Sequence, residues 1–110
     1  MYRFLSIFFS FNGPPRVKDL EPHVTEVGDW LRFNNYIWIV WTTKTAGEAF
    51  PILAAHISKD DQMMIVEINM NERHGWVPKW IWDWIDVRRG IPRNYLAEIL
   101  RQLPPPPGGG

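Results

Sequence analysis

Residues 29–43 read DWLRFNNYIWIVWTT, and this stretch decides the predicted fold. Two runs rich in aromatic and β-branched residues, which favour β-strands, meet at Asn34-Asn35. Asn tolerates the positive φ angle that a two-residue hairpin turn requires. The stretch therefore predicts two antiparallel strands joined by a tight turn at Asn34-Asn35.

Upstream of this hairpin the sequence predicts one strand and one short helix. Apolar side chains occupy both alternating sets of positions over residues 3–11, which is typical of a central strand covered on two sides. Asp19 is expected to cap the helix, so that Pro22 falls in the first turn, where its missing N–H is harmless. Gly28 is expected to end the helix.

Downstream of the hairpin the sequence predicts a second helix and a fourth strand. Thr45 and Glu48 have the spacing of a capping box, in which each side chain accepts a hydrogen bond from the other residue's backbone N–H. Asp60-Asp61 predicts the turn into a strand over residues 62–69. The second helix is expected to kink at Pro51. Its apolar face is expected to consist of Phe50, Leu53 and Ile57.

The resulting order of elements, βαββαβ, predicts a ferredoxin-like domain of the α+β class with an antiparallel four-stranded sheet over residues 1–87. A third predicted helix, residues 78–87, lies at the end of that range. Residues 88–103 predict a C-terminal amphipathic helix that packs on the domain or on a partner subunit. The tail of Pro and Gly, residues 104–110, is expected to be disordered.

Charge and composition exclude several classes of function. The chain of 110 residues has 12 basic and 12 acidic side chains, so no net charge directs it towards nucleic acid or a membrane. It contains no Cys, which excludes disulfides, thiolate zinc sites and thiol nucleophiles. No apolar run approaches the roughly 20 residues of a membrane-spanning helix. We expect a cytoplasmic protein with no cofactor and no membrane contact.

The third predicted strand carries large apolar side chains on both of its faces. A patch of that size rarely faces water in a monomer, and three covers are open: the chain's own C-terminal helices, a second copy, or a ligand. A symmetric homodimer is the commonest closed arrangement. The residues predicted to line the dimer interface are Tyr36, Trp38, Trp41 and Trp82.

Four tryptophans follow the fourth strand, at positions 76, 80, 82 and 84. One interpretation is a surface on which bases stack or a peptide docks. The alternative is that Trp80 and Trp84 pack into the core, while Trp82 is buried by a partner subunit. We favour the second interpretation, because Trp is a common anchor residue in interfaces.

No catalytic residue is predicted. The three histidines, His23, His56 and His74, lack the spacing of a metal site. No Ser stands in the sequence context of a nucleophile. Arginines near the C-terminus form either a solvated face with favourable charge near helix ends or a surface for nucleic-acid phosphates. The candidates for phosphate contact are Arg88, Arg89 and Arg93.

Over residues 2–86 the chain resembles the CRISPR-associated adaptation-subunit superfamily of small ferredoxin-like bacterial proteins. The resemblance lies in the pattern of apolar and turn residues. The stretches that carry it are Ile7 to Asn12, Gly28-Asp29-Trp30, Tyr36 to Val40, Asp60 to Asn69, and Gly75-Trp76.

The resemblance implies a ferredoxin-like fold and a face-to-face homodimer. In nuclease-competent relatives, an Asp at the end of the first strand of each subunit holds a divalent metal across the dimer axis. Ser10 occupies the matching position, and a neutral hydroxyl is a poor ligand for a hard cation. We therefore expect a non-catalytic dimeric scaffold or interaction module, with nucleic acid or a protein as the candidate partner. The alternatives are a metal-dependent endonuclease and a single-strand RNA-binding module that uses aromatics of the sheet face.

Overall fold

A computed structural model describes residues 1–89 of the chain. Within that range it contains four strands and three helices, and all strand pairs are antiparallel, which confirms the predicted α+β class. In chain order the elements are β1 (Arg3–Ser10), α1 (Val17–Val27), β2 (Asp29–Arg32), β3 (Ile37–Thr42), α2 (Ala46–Ala54), β4 (Gln62–Ile68) and α3 (Lys79–Arg88).

The strands form one sheet in the order β2-β3-β1-β4. Leu5 of β1 lies opposite Val40 of β3 and Glu67 of β4, so these side chains share one face of the sheet. The sheet and the order of elements are compatible with the predicted ferredoxin-like fold. The chain divides into two compact units, residues 1–68 and a second unit that begins at Asn69.

The core of the first unit lies between one face of the sheet and the apolar sides of α1 and α2. Trp38 of β3 is its largest fully buried side chain, and its ring meets the edge of the Trp30 ring at 4.8 Å between centroids. Helix α1 contributes side chains three or four positions apart, because that spacing keeps them on one face. The buried core residues are Leu5, Ile7, Phe9, Val17, Leu20, Val24, Val27, Trp30, Trp38, Val40, Ala49 and Leu53.

The hairpin connection differs from the predicted two-residue turn. β2 ends at Arg32 and β3 begins at Ile37, and within residues 1–89 no residue other than glycine has a positive φ angle. Instead, Asn34 Oδ1 accepts hydrogen bonds from the backbone N–H groups of Tyr36, at 2.8 Å, and Ile37, at 2.9 Å. The prediction of a left-handed turn was wrong because the Asn34 side chain itself satisfies the backbone donors of the turn.

Helix α1 begins earlier than predicted. Its N-cap is Arg16 rather than Asp19, and no side-chain hydrogen bond caps it. Pro22 therefore lies inside the helix, where it removes one intrahelical hydrogen bond. Asp19 lies in the first turn instead, where its negative charge interacts favourably with the helix dipole.

The start of α2 is the predicted capping box. The Thr45 N–H donates to Glu48 Oε1 at 2.9 Å, and the Glu48 N–H donates to Thr45 Oγ1 at 3.1 Å. The hydrogen bond from the Thr45 backbone N–H to the Glu48 carboxylate, with a further contribution from the Thr45 side chain, lowers the pKa of Glu48. Thr45 and Glu48 are three residues apart, so the capping box could be predicted from their spacing alone.

The core face of α2 was predicted only in part. Leu53 is buried and Ile57 packs against the core, as expected. Phe50, however, is 51% exposed, and Ala49 is buried in its place. Residues 49 and 53 are one helical turn apart and share a face, whereas residue 50 is rotated away from it.

Helix α3 belongs to the second unit and agrees with the helix predicted over residues 78–87. It begins at Lys79, with Pro78 as its N-cap. Ile81, Trp84 and Ile85 are buried. Beyond residue 89, the predicted amphipathic helix and the tail over residues 104–110 lie outside the described residues.

Candidate functional site

The end of β1 does not have the charge that a divalent metal ion requires. Ser10 is the last residue of β1, is exposed, and lies opposite Gln62 of β4. Both side chains are neutral, so they do not fit a hard cation that binds charged oxygen ligands. In the described part of the chain, no group of three His, Asp or Glu side chains could hold a metal ion.

The carboxylate of Asp61, the residue before Gln62, forms contacts that stabilise the fold. It accepts hydrogen bonds from the backbone N–H groups of Asn12, at 2.9 Å, and Ser58, at 2.8 Å, and it pairs with Arg16. The two backbone hydrogen bonds, with a further contribution from Arg16, hold the pKa of Asp61 well below its usual range. Asp61 thus joins the loop after β1 to the turn before β4.

Three of the residues predicted to line a dimer interface lie on or near β3, in different environments. Trp38 has no exposed surface because it faces the core, so it has nothing to contribute to a contact with a second copy. This corrects its predicted role. Trp41 faces the opposite side of the sheet, is half-buried, and stacks on Tyr2 with ring centroids 5.0 Å apart. Tyr36 is 46% exposed at the hairpin.

Strand β4 is an edge strand that exposes apolar side chains. Within residues 1–89 it has no strand neighbour on its outer side. Met64 and Val66 are 56% and 39% exposed, and the register places both on the face opposite the core. Glu67 is the single charge among its seven residues, and its carboxylate pairs with Arg3 at 3.2 Å.

In the second unit, a network of charged side chains surrounds Asp86. Arg73 pairs with Asp86 and donates to the carbonyl oxygen of Met70 at 2.9 Å. Arg89 lies 3.6 Å from the same carboxylate and donates to Asn71 Oδ1 at 2.8 Å. One carboxylate therefore faces two guanidinium groups, and the network carries a net positive charge.

The arginines predicted to contact nucleic acid are not brought together as a group. The Arg88 guanidinium lies over the Trp84 ring, 4.0 Å from its centroid, and donates to the Trp84 carbonyl oxygen at 3.1 Å. Arg89 belongs to the network around Asp86, and Arg93 lies outside the described residues. Their contact with phosphate stays a prediction.

A surface hollow of about 350 Å³ opens beside this network. Its described lining consists of Asn71, Arg73, His74, Gly75 and Trp82. Arg73 lies over the Trp82 ring, 5.7 Å from its centroid, and a Cβ atom added to Gly75 would lie 3.7 Å from the same ring. The half-buried indole of Trp82 is therefore held in place as a wall of the hollow.

Trp76, which directly follows Gly75, is fully exposed, at 100%. Its neighbours in the tryptophan series differ, since Trp84 is buried while Trp80 and Trp82 are half-buried. The sequence grouped these residues but could not tell which of them faces water. The one available signal is that Trp76 precedes Pro78, which lies just outside the helix.

Two histidines that are distant in sequence meet beside α1 and α2. The rings of His23 and His56 are stacked, with centroids 3.3 Å apart and planes inclined by 10°. Glu26 Oε1 lies 3.5 Å from His23 Nδ1. Stacked rings direct their nitrogen lone pairs into separate parallel planes, so this pair does not chelate a metal ion. Sequence spacing gave no indication of the contact.

None of the helices in the described range is long and apolar enough to cross a membrane. No family model, curated protein or solved structure matches the chain. The resemblance to the CRISPR-associated superfamily therefore stays a prediction.

Proposed function

We propose that the protein is a non-catalytic interaction module with a ferredoxin-like fold, which forms a homodimer through β4. The observation that carries this proposal is the apolar edge of β4, with Met64 56% and Val66 39% exposed. An unprotected apolar edge strand offers a row of backbone N–H and C=O groups for pairing with another chain. A second copy of the same strand is the simplest partner, and two-fold symmetry is the commonest arrangement of soluble oligomers.

The two edges of the sheet differ in a way that favours β4. Strand β2 has four residues, begins with Asp29, ends with Arg32, and has both central side chains buried. Short length and charged side chains are features that prevent edge strands from pairing. Strand β4 has seven residues, and its one charge, Glu67, is partnered by Arg3 within the chain.

Strand β4 is also complementary to itself in an antiparallel pair. When two copies pair about Ile65, Met64 of each copy lies opposite Val66 of the other. This arrangement places the exposed apolar side chains of both strands side by side on one face. It also continues the four-stranded sheet of one copy into that of the other.

The two alternative functions have less support. For a metal-dependent endonuclease, Ser10 and Gln62 supply no charged ligand where the resemblance implies a metal ion. For a sheet-face RNA reader, Trp38 is buried, and Trp41 stacks against Tyr2 with a further ring contact to Phe4 at 4.7 Å. These aromatic faces are occupied by other side chains, which leaves little of them for bases.

The oligomeric state of the full-length chain tests this proposal. The wild type is expected to sediment as a dimer. Met64→Lys and Val66→Lys each place a charge opposite an apolar side chain of the second copy, and a lysine on an edge strand opposes pairing, so both variants are expected to sediment as monomers. Sedimentation velocity over a wide range of concentration measures the shift, and circular dichroism checks that the variants fold.

Phe50→Lys is the matched control. It replaces another apolar side chain that is 51% exposed, but on α2, and it is expected to remain a dimer. A wild type that is monomeric at every concentration would contradict the proposal. So would a dimer that persists in both β4 variants.

A further inference from the structure

The hollow in the second unit has the lining of a site for an anionic ligand. Asn71, Arg73 and His74 carry hydrogen-bond donors, and the described lining contains no carboxylate. Asp86, the acidic group of the adjoining network, is not part of that lining and is paired with Arg73. A lining of donors without a carboxylate favours a ligand rich in acceptor oxygens, of which phosphate is the strongest.

Two of these donors are held in place by the protein itself. Arg89 donates to Asn71 Oδ1, so the amide nitrogen of Asn71 is the end that remains to donate elsewhere. Arg73 is held by Asp86 and by the carbonyl oxygen of Met70, and a guanidinium carries more N–H groups than these two contacts use. Donors that are ordered beforehand lose little conformational entropy when a ligand binds.

Trp76 follows the lining of the hollow directly in the chain and adds an exposed aromatic surface. It directly follows Gly75, a residue of the lining, and it is fully exposed. Burying a Trp side chain removes about 150–250 Å² of its surface from water, which is strongly stabilising. An indole that stays wholly in solvent does not gain this stabilisation. An exposed indole offers both ring faces for stacking, and every nucleobase has a matching face.

We propose that residues 69–89 bind a nucleotide unit, with its base stacked on Trp76 and its phosphate held in the hollow by Asn71, Arg73 and His74. The hollow, at about 350 Å³, has the size of a small-ligand site, for which about 300–1,000 Å³ is typical. The site does not depend on pairing through β4. A free nucleotide and a single-stranded nucleic acid share this chemistry, and the experiment distinguishes them.

Isothermal titration calorimetry of the whole chain with adenosine monophosphate and with a short single-stranded oligodeoxyadenylate tests the proposal, because its signal does not depend on the tryptophan that is replaced. At least one probe is expected to bind. Trp76→Ala is expected to weaken binding about fivefold or more, which corresponds to about 1 kcal/mol or more for one stacked base. His74→Ala is expected to weaken binding, because it removes a hydrogen-bond donor to the phosphate.

The relative affinities of the two probes identify the source of the ligand. Equal affinities assign the site to a free nucleotide, and tighter binding of the oligonucleotide assigns it to a single strand. Phe50→Ala removes an exposed aromatic side chain on α2 and is expected to leave binding unchanged. Val66→Lys is also expected to bind as the wild type does, so a failure of the dimer proposal would not affect this result.

Three outcomes would overturn the nucleotide site. The first is that neither probe binds to the wild type. The second is that Trp76→Ala, checked to be folded by circular dichroism, binds as tightly as the wild type. The third is that polyglutamate competes as well as the oligonucleotide, because a nonspecific attraction between opposite charges would then explain the binding.

Discussion

Gly28 separates α1 from β2 at a point where the end of β3 passes very close. Thr42 Oγ1 donates to the Val27 carbonyl oxygen at 2.5 Å, which holds the two segments together. A Cβ atom at Gly28 would lie 2.8 Å from Thr42 Cβ and closer still to the carbonyl oxygen of Trp41. The φ angle of Gly28, 170°, is extended and accessible to any residue, so glycine is required here for space.

Gly28→Ala is expected to lower the free energy of unfolding by about 1–3 kcal/mol, because the added methyl group forces the backbone of β3 to shift. Gly47→Ala is the control, since a Cβ atom there meets only Thr45 Oγ1, at 3.8 Å. In α2 that change should be neutral or stabilising by up to about 1 kcal/mol. Urea unfolding of both variants measures the difference, and equal stabilities would contradict the steric role of Gly28.

At the scale of the element, the turns and helix ends depend on side chains that bond to their own backbone. Asn34 accepts two backbone hydrogen bonds in the hairpin, and Thr45 and Glu48 exchange them at the start of α2. Interactions of this kind span two or three residues. They define where an element begins, whatever it packs against.

Thr45→Ala is expected to destabilise the protein by about 1 kcal/mol, because it leaves the first turn of α2 without its side-chain acceptor. Thr43→Ala provides the control, since Thr43 is exposed and precedes the helix. That change should lie within about 0.5 kcal/mol of the wild type. Thermal or urea denaturation compares the two, and a larger effect at Thr43 would show that the capping box is not the stabilising feature.

These local interactions explain how much of each element could be predicted. The number, type and order of the strands and helices over residues 1–89 follow from periodicity and capping residues, and they agree with the structure. The details failed where two local signals competed. Asp is a favoured N-cap residue, so Asp19 was predicted to begin α1, but the helix begins at Val17. Phe50 has the spacing of the apolar face of α2, but Ala49 is the residue that is buried there.

At the scale of the whole molecule, Asp61 connects parts of the first unit that are distant in the chain. It bonds to Asn12 and Arg16 in the segment after β1 and to Ser58 in the turn before β4. In the described residues, the side chain of the neighbouring Asp60 has no hydrogen bond or ion pair like those of Asp61. The sequence alone does not distinguish the two residues, because both are expected in the same turn. The pKa of Asp61 is therefore lowered by contacts that exist only in the folded chain.

Stability is expected to fall in acid partly because of Asp61. Its pKa is lower in the folded chain than in the unfolded chain, so its contribution is complete above the unfolded value of about 4 and is lost as the pH falls below that value. Asp61→Asn should lower the melting temperature by several degrees at neutral pH. It should also make stability less dependent on pH in the acid range.

Melting temperatures of the wild type and Asp61→Asn measured from neutral pH down to about pH 2 test this expectation. The difference between the two proteins should become smaller as the pH falls below about 4. Asp60→Asn, the control, replaces an exposed carboxylate and should keep the melting temperature of the wild type at neutral pH. If the melting temperatures of the two proteins differ by the same amount at every pH, the ionised carboxylate of Asp61 is not what stabilises the wild type.

The candidate sites were harder to predict from the sequence than the fold was. Trp38, Trp41 and Trp76 have the same side chain, yet one is fully buried, one is stacked on the sheet and one is fully exposed. Sequence spacing grouped Trp76 with its neighbours, but it could not show that Trp76 is the one left in solvent. Exposure is set by what packs against a residue, and that partner is usually distant in the chain.

The sequence by itself determined the α+β class, the order of the elements and the capping box of α2, because periodicity and capping act over a few residues. Only the tertiary structure decided that Gly28 lies against β3, that Asp61 reaches Arg16 and that His23 stacks on His56. The physical reason is that these contacts require the strand order β2-β3-β1-β4 and the helices that pack on it. No pattern within a single segment encodes that arrangement.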